Sequence, residues 1–111
     1  MNLMAKLLPH ALVIHVLEDR IDAAGAIQFK EKMRGLVNGP SPIVILDLSQ
    51  VAFLDSSGLG AVVSVLKMMG PDRKLQLSGL TPTVEKVFRL TRMDTIFTIH
   101  RTLPEEVRHV G

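Results

Sequence analysis

One stretch does most to limit what this 111-residue chain can fold into. A run of β-branched and apolar residues, Ile43-Val44-Ile45-Leu46, leads into Val51-Ala52-Phe53-Leu54-Asp55-Ser56-Ser57-Gly58-Leu59-Gly60. A second apolar run, residues 61–69, follows with helical spacing. An acid, two hydroxyls and two glycines between a strand and a helix make a strand end that turns into a helix N-terminus. The N–H groups of that first turn have no intrahelical partner, and the helix dipole is positive there. The place therefore favours negative charge. Two readings stay open for the residues alone. In one, Asp55, Ser56 and Ser57 satisfy orphan N–H groups and nothing more. In the other, Ser56 also carries a phosphate, which adds about −1.5 to −2 charges on an exposed loop without unfolding the domain.

The rest of the chain arranges itself around this strand and helix. Residues 3–8 read as a first strand, Pro9-His10 as a turn and residues 11–17 as a second strand, so a hairpin is expected. Asp22 is placed to cap a helix whose inner stripe is Ala26, Phe29, Met33 and Val37, with Lys30 the polar intruder. Gly39-Pro40-Ser41-Pro42 stops it. Residues 43–48 are apolar on both faces until Asp47, as expected of a central strand covered on both sides. The helix after Ser56 puts Leu59, Val62, Val63 and Leu66 on an inner face and ends at Gly70-Pro71. Residues 74–78 alternate as a strand. Thr81-Pro82 starts a helix with Val84, Val87, Phe88 and Thr91 inward. Residues 96–99 read as a short strand and 103–110 as a fourth helix. The order β-β-α-β-α-β-α-β-α predicts a single α/β domain over residues 1–111, with a mixed sheet, an N-terminal hairpin and about four helices.

The helix after Ser56 is apolar nearly all round. Besides its inner stripe it carries Gly58, Ala61, Val65 and Met68, and only Lys67 is charged between Ser56 and Met69. A surface helix should have a polar side, so something covers the second face: a neighbouring helix of the same domain, or a partner. Methionine suits adaptable interfaces, and the expectation falls on a partner.

At this point a resemblance comes into view. Asp47-Leu48-Ser49-Gln50-Val51-Ala52-Phe53-Leu54-Asp55-Ser56-Ser57-Gly58-Leu59-Gly60 resembles the core motif of the STAS family, in particular of bacterial anti-sigma factor antagonists. The resemblance extends to Val16-Leu17-Glu18-Asp19-Arg20-Ile21-Asp22-Ala23-Ala24 and to Leu77-Ser78-Gly79-Leu80-Thr81-Pro82-Thr83-Val84. It implies that Ser56 is the phosphoacceptor. A serine kinase that is also the anti-sigma factor would modify it, and a PPM-type phosphatase would restore it. Unphosphorylated protein would bind the kinase and free the sigma factor. The expected partner surface is Asp22, Asp55, Ser56, Ser57, Gly58, Gly60, Ala61, Val65 and Met68. In it Asp22 holds the neighbouring loop, Asp55 shapes the turn and helps orient the Ser56 hydroxyl, Ser57 caps the helix or hydrogen-bonds the loop, and Gly58 and Gly60 admit a partner's backbone. Two positions depart from the family's usual pattern: Asp19, where glycine is usual, and Gly25, where serine or threonine is frequent. The rival readings are a STAS subunit of a lipid transporter or signalling scaffold, and an enzyme of flavodoxin-like fold.

Other chemistry finds little support. Cysteine is absent, which removes disulfides and thiolate metal sites and fits a cytoplasmic protein. His10, His15, His100 and His109 show no ligand spacing, so no metal or cofactor is expected. Asp55-Ser56-Ser57-Gly58 lacks the first glycine of a hydrolase nucleophile elbow. No phosphate-binding Gly-Lys loop occurs, and no catalysis is expected. An acidic cluster of Asp22, Asp47 and Asp55, as in a response regulator, would want a lysine after a late strand, where only His100 and Arg101 stand. The net charge is +2 with both signs interspersed and no Trp or Tyr, so a nucleic-acid role is not expected. No apolar run reaches the roughly 18 residues of a membrane span. The apolar start, residues 1–10, has no basic leader and is read as part of the fold.

Overall fold

A computed structural model describes residues 1–103. In chain order the strands and helices are β1 (Leu3–Leu7), β2 (Leu12–Val16), β3 (Arg20–Ile21), α1 (Ala23–Leu36), β4 (Ile43–Asp47), β5 (Phe53–Leu54), α2 (Ser56–Met69), β6 (Lys74–Ser78), α3 (Pro82–Leu90) and β7 (Thr98–His100), with a one-turn 3-10 helix at Met93–Thr95 before β7. The described residues thus hold three α-helices rather than four. The fourth expected helix, at residues 103–110, falls outside them but for its first residue.

Five strands form one sheet in the order β1-β2-β4-β6-β7. β1 runs antiparallel to β2, as the short Pro9-His10 turn requires, and the other pairs are parallel. From β2 onward each strand is laid on the same side of the last. The connecting helices therefore come onto one face, as crossovers of constant hand require. Strand residues of that face (Leu12, Ile14, Val16, Val44, Leu46, Leu75, Leu77) pack with Phe29 and Met33 of α1, Val62 and Val65 of α2, and Val84 and Phe88 of α3 in one core. The alternate residues Val13 and Ile45 turn to the opposite face and join Leu8, Ala11, Ile43 and Leu103. β4 is thus apolar on both faces because both are covered. The order has no reversal at which helices change face. A flavodoxin-like sheet needs such a switch point, and this sheet has none.

Local chemistry ends the elements where the sequence places its breakers. Gly70 takes φ 79° and closes α2. The Arg73 side chain donates to the carbonyls of Val37 (2.6 Å) and Ser41 (2.8 Å), tying the end of α1 to the start of β4. Thr81 stands at the N-cap of α3, but its hydroxyl donates to the Val51 carbonyl at 2.7 Å instead of capping. That bond fastens α3 to the loop before the Ser56 helix. Phe97 meets Phe88 edge to face, with centroids 5.9 Å apart, and holds α3 against the end of the sheet.

The sequence gives no sign of the second sheet. β3 and β5 are two residues each and pair in parallel, Arg20 with Phe53 and Ile21 with Leu54. The Asp19 carbonyl accepts from the N–H groups of both Ala52 (2.7 Å) and Phe53 (3.2 Å). Residues 18–20, expected only to end a strand, in fact open this small sheet.

Candidate functional site: two capped helix starts side by side

The β3–β5 pair sets the geometry of the site. Each strand is followed by an aspartate, and each aspartate caps the helix that comes next. Asp22 has φ −98° and ψ −171°, and its Oδ1 accepts from the Gly25 N–H at 2.9 Å. Asp55 has φ −94° and ψ −173°, and its Oδ1 accepts from the Gly58 N–H at 2.9 Å. Because Ile21 and Leu54 are in register, the two caps follow at equivalent positions and the N-termini of α1 and α2 open at the same place. Neither first turn contains an acidic residue. Two helix dipoles therefore present their positive ends together, each offset by one capping carboxylate.

Ser56 is the first residue of α2 and is exposed, as is Ser57. The cap reaches Gly58, two residues further on, so the N–H groups of Ser56 and Ser57 are left unbound within the helix. Around them lie exposed Ala23 and Ala24 at the start of α1, half-buried Asp22 and Asp55, and exposed Gly60 one turn along. Phe53 is 42% exposed, with the Arg20 guanidinium 5.6 Å from its ring centre. Neither Phe53 nor Arg20 carries a sequence signal that marks this contact; Arg20 reads as part of a strand end. Among the described residues Ser56 lines none of three surface hollows, one of which, about 440 Å³, lies between Glu85, Arg89, Asp94 and Arg101.

Three of the expected partner-facing residues are corrected by burial. Val65 is fully buried, Ala61 is 2% exposed and Gly58 is also buried. The cover is internal: α1 packs along α2, and both share one core. Val63 and Leu66, expected inward, are the half-buried ones. Gly58 does admit a close backbone, but an internal one. A Cβ there would stand 2.4 Å from the Ile21 carbonyl oxygen and 3.0 Å from Leu54 Cγ. At Gly60 a Cβ would meet nothing within 4 Å. Met68 is half-buried towards the far end of α2. The surface residues that remain together are Asp22, Asp55, Ser56, Ser57 and Gly60.

Of the two departures from the usual pattern, Gly25 has a local explanation and the Asp19 side chain has none. Asp19 supplies its carbonyl to the small sheet and keeps its side chain in solvent. At Gly25 a Cβ would approach Met1 Cε to 3.1 Å, so the glycine makes room for the N-terminal side chain. Asp47 does not join Asp22 and Asp55. It accepts from His15 at 2.7 Å on the opposite face of the sheet and from the Ser49 N–H at 3.0 Å. Among the described residues no group of histidines and acids could hold a metal ion, and no helix is long and apolar enough to cross a membrane.

Comparison with known proteins agrees with this architecture. The model of the STAS domain family matches residues 2–106. Among solved structures, the chain is similar to an anti-sigma factor antagonist from Mycobacterium paratuberculosis, at 23% identity and a TM-score of 0.85 over 98% of this chain and 92% of that one. It is similar to the phosphorylated form of the Bacillus cell fate determinant SpoIIAA, at 20% identity and 0.70 over 99% and 100%. It is similar too to the STAS domain of a SulP transporter from Vibrio cholerae, at 20% identity and 0.68 over 88% and 78%. At these identities the likeness speaks to the fold.

Proposed function

Because this chain belongs to the STAS domain family, we propose that it is an anti-sigma factor antagonist switched by phosphorylation of Ser56. Unphosphorylated, it binds an anti-sigma factor that is also a serine kinase, and the sigma factor is released. Transfer of phosphate to the Ser56 hydroxyl ends the complex, and a PPM-type phosphatase resets it. The chain itself performs no catalysis in this scheme; it acts in the cytoplasm, on soluble partners.

The observation that carries the proposal is the exposed Ser56 at the first position of α2, beside a second capped helix start. A phosphate there meets the positive end of α2 and the unbound N–H groups of its first turn, so the fold tolerates it. The same phosphate adds about −1.5 to −2 charges next to the carboxylates of Asp55 and Asp22. A surface that was nearly neutral becomes strongly acidic, and a partner seated across it is repelled. Similarity to SpoIIAA, whose structure is known in a phosphorylated form, supports the reading.

The test is to capture the kinase with the Ser56→Ala chain from a lysate of the source organism. Wild-type chain is then incubated with that kinase and ATP, and the modified residue is located by mass. Phosphate on Ser56 is expected. Phosphate on Thr81 with none on Ser56 or Ser57 would defeat the assignment. The second reading, a STAS subunit within a transporter or signalling scaffold, draws on the likeness to the SulP domain. Co-purification with an ATPase subunit or a high-mass assembly, and no kinase, would favour it.

A further inference from the structure

β1 is the terminal strand of the sheet, and no other strand of the described residues pairs with its outer side. Its register with β2 joins Leu3 to Val16, Ala5 to Ile14 and Leu7 to Leu12. Beyond the two ends of the strand, Leu17 N–H donates to the Asn2 carbonyl at 2.9 Å and Leu8 N–H to the Ala11 carbonyl at 2.8 Å. Hydrogen-bonded pairs alternate along an antiparallel ladder. The residues that bond to β2 are therefore the even-numbered ones. The N–H and C=O groups of Leu3, Ala5 and Leu7 point outward.

Edge strands are usually blunted by proline, bulges or several charges. β1, with the sequence Leu-Met-Ala-Lys-Leu, contains no proline and a single charge. Its apolar side chains are conspicuously open: Leu7 is 73% exposed and Met4 52%.

From these observations we infer that β1 docks antiparallel against β1 of a second copy of this chain, with Ala5 facing Ala5 across a two-fold axis. In this register Leu3 faces the second copy's Leu7 and Leu7 faces its Leu3. All three outward-pointing residues meet outward-pointing residues, giving about six backbone hydrogen bonds. Exposed Leu7 gains an apolar neighbour on the helix-bearing face. On the other face Met4 lies beside the second copy's Lys6, so the two lysines do not face each other. A shift of two residues in one direction sets Lys6 against Lys6 and Leu3 against Pro9, which has no N–H to give. A shift in the other direction leaves Leu7 beyond the paired strand. The centred register is thus chosen by both hydrogen bonding and charge, and it is self-complementary, as a two-fold interface must be. Strand pairing without further contact is a small interface, so the dimer is weak and concentration-dependent.

Sedimentation equilibrium of the full chain over rising concentration tests this. The wild type is expected to pass from monomer to dimer. Ala5→Pro removes an outward N–H while leaving the bonds to β2 in place, and abolishes the dimer with an unchanged circular dichroism spectrum. Ala5→Lys and Ala5→Glu each put like charges on the axis and are monomeric alone; mixed together they restore the dimer. A wild type that stays monomeric at every concentration would overturn the inference. So would an Ala5→Pro chain that dimerises as the wild type does, or a Lys/Glu mixture that stays monomeric.

Discussion

Replacing Gly58 with alanine would drive a Cβ to 2.4 Å from the Ile21 carbonyl oxygen, a contact that backbone must yield to relieve. The expected cost is about 1–3 kcal/mol, the range for overpacking a well-filled site, measured as a lower urea midpoint. Gly60→Ala should do the opposite. Its Cβ meets nothing, and glycine inside a helix costs about 0.8–1 kcal/mol relative to alanine. The variant should be more stable, yet bind the kinase more weakly if a partner's backbone passes over Gly60; unchanged affinity would remove Gly60 from the contact surface. Asp55→Ala removes the bond to the Gly58 N–H and should cost about 1 kcal/mol, with Asp22→Ala comparable at α1. At this scale the sequence was legible for the Asp22 cap, because an aspartate before a helical stripe has few other uses; at the second helix it offered Asp55, Ser56 and Ser57 together, and Asp55 is the one that caps. It was not legible for Gly58. A glycine that admits an outside partner and one that admits a neighbouring strand look alike until the strand is seen.

The elements are legible in the sequence where they carry a period. α1, α2, α3, β4 and β6 lie close to where their stripes and breakers put them. β3 and β5 were not read, because two residues are too few for alternation to show, yet they are what sets the two helix starts in register. α2 shows a second limit. Its all-round apolarity correctly implied that its second face is covered, but nothing local says by what. The cover is α1, so Ala61 and Val65 belong to the core. Val65→Asp should therefore unfold the domain rather than spare the fold and weaken a partner. A thermal melt of that variant would tell the two apart. A folded Val65→Asp chain that merely lost its partner would restore the original expectation.

Taken as a whole, the molecule keeps its packed core apart from the surface proposed to act as the switch. The sheet carries its helices on one face and a smaller apolar cluster with the His15–Asp47 pair on the other. The Ser56 surface lies where two helices begin, on side chains the core does not use. Under the proposed function, that separation would let a dianion arrive without loss of fold. The measurement closest to this claim is the affinity of the captured kinase for three folded chains: wild type, Ser56→Ala and Ser56→Asp. The alanine chain should bind as tightly as wild type. The aspartate chain should bind at least about tenfold more weakly, about 1.4 kcal/mol, with the same melting behaviour. Equal affinity for the aspartate chain and the wild type, with Ser56 phosphorylated chain also still bound, would contradict the switch.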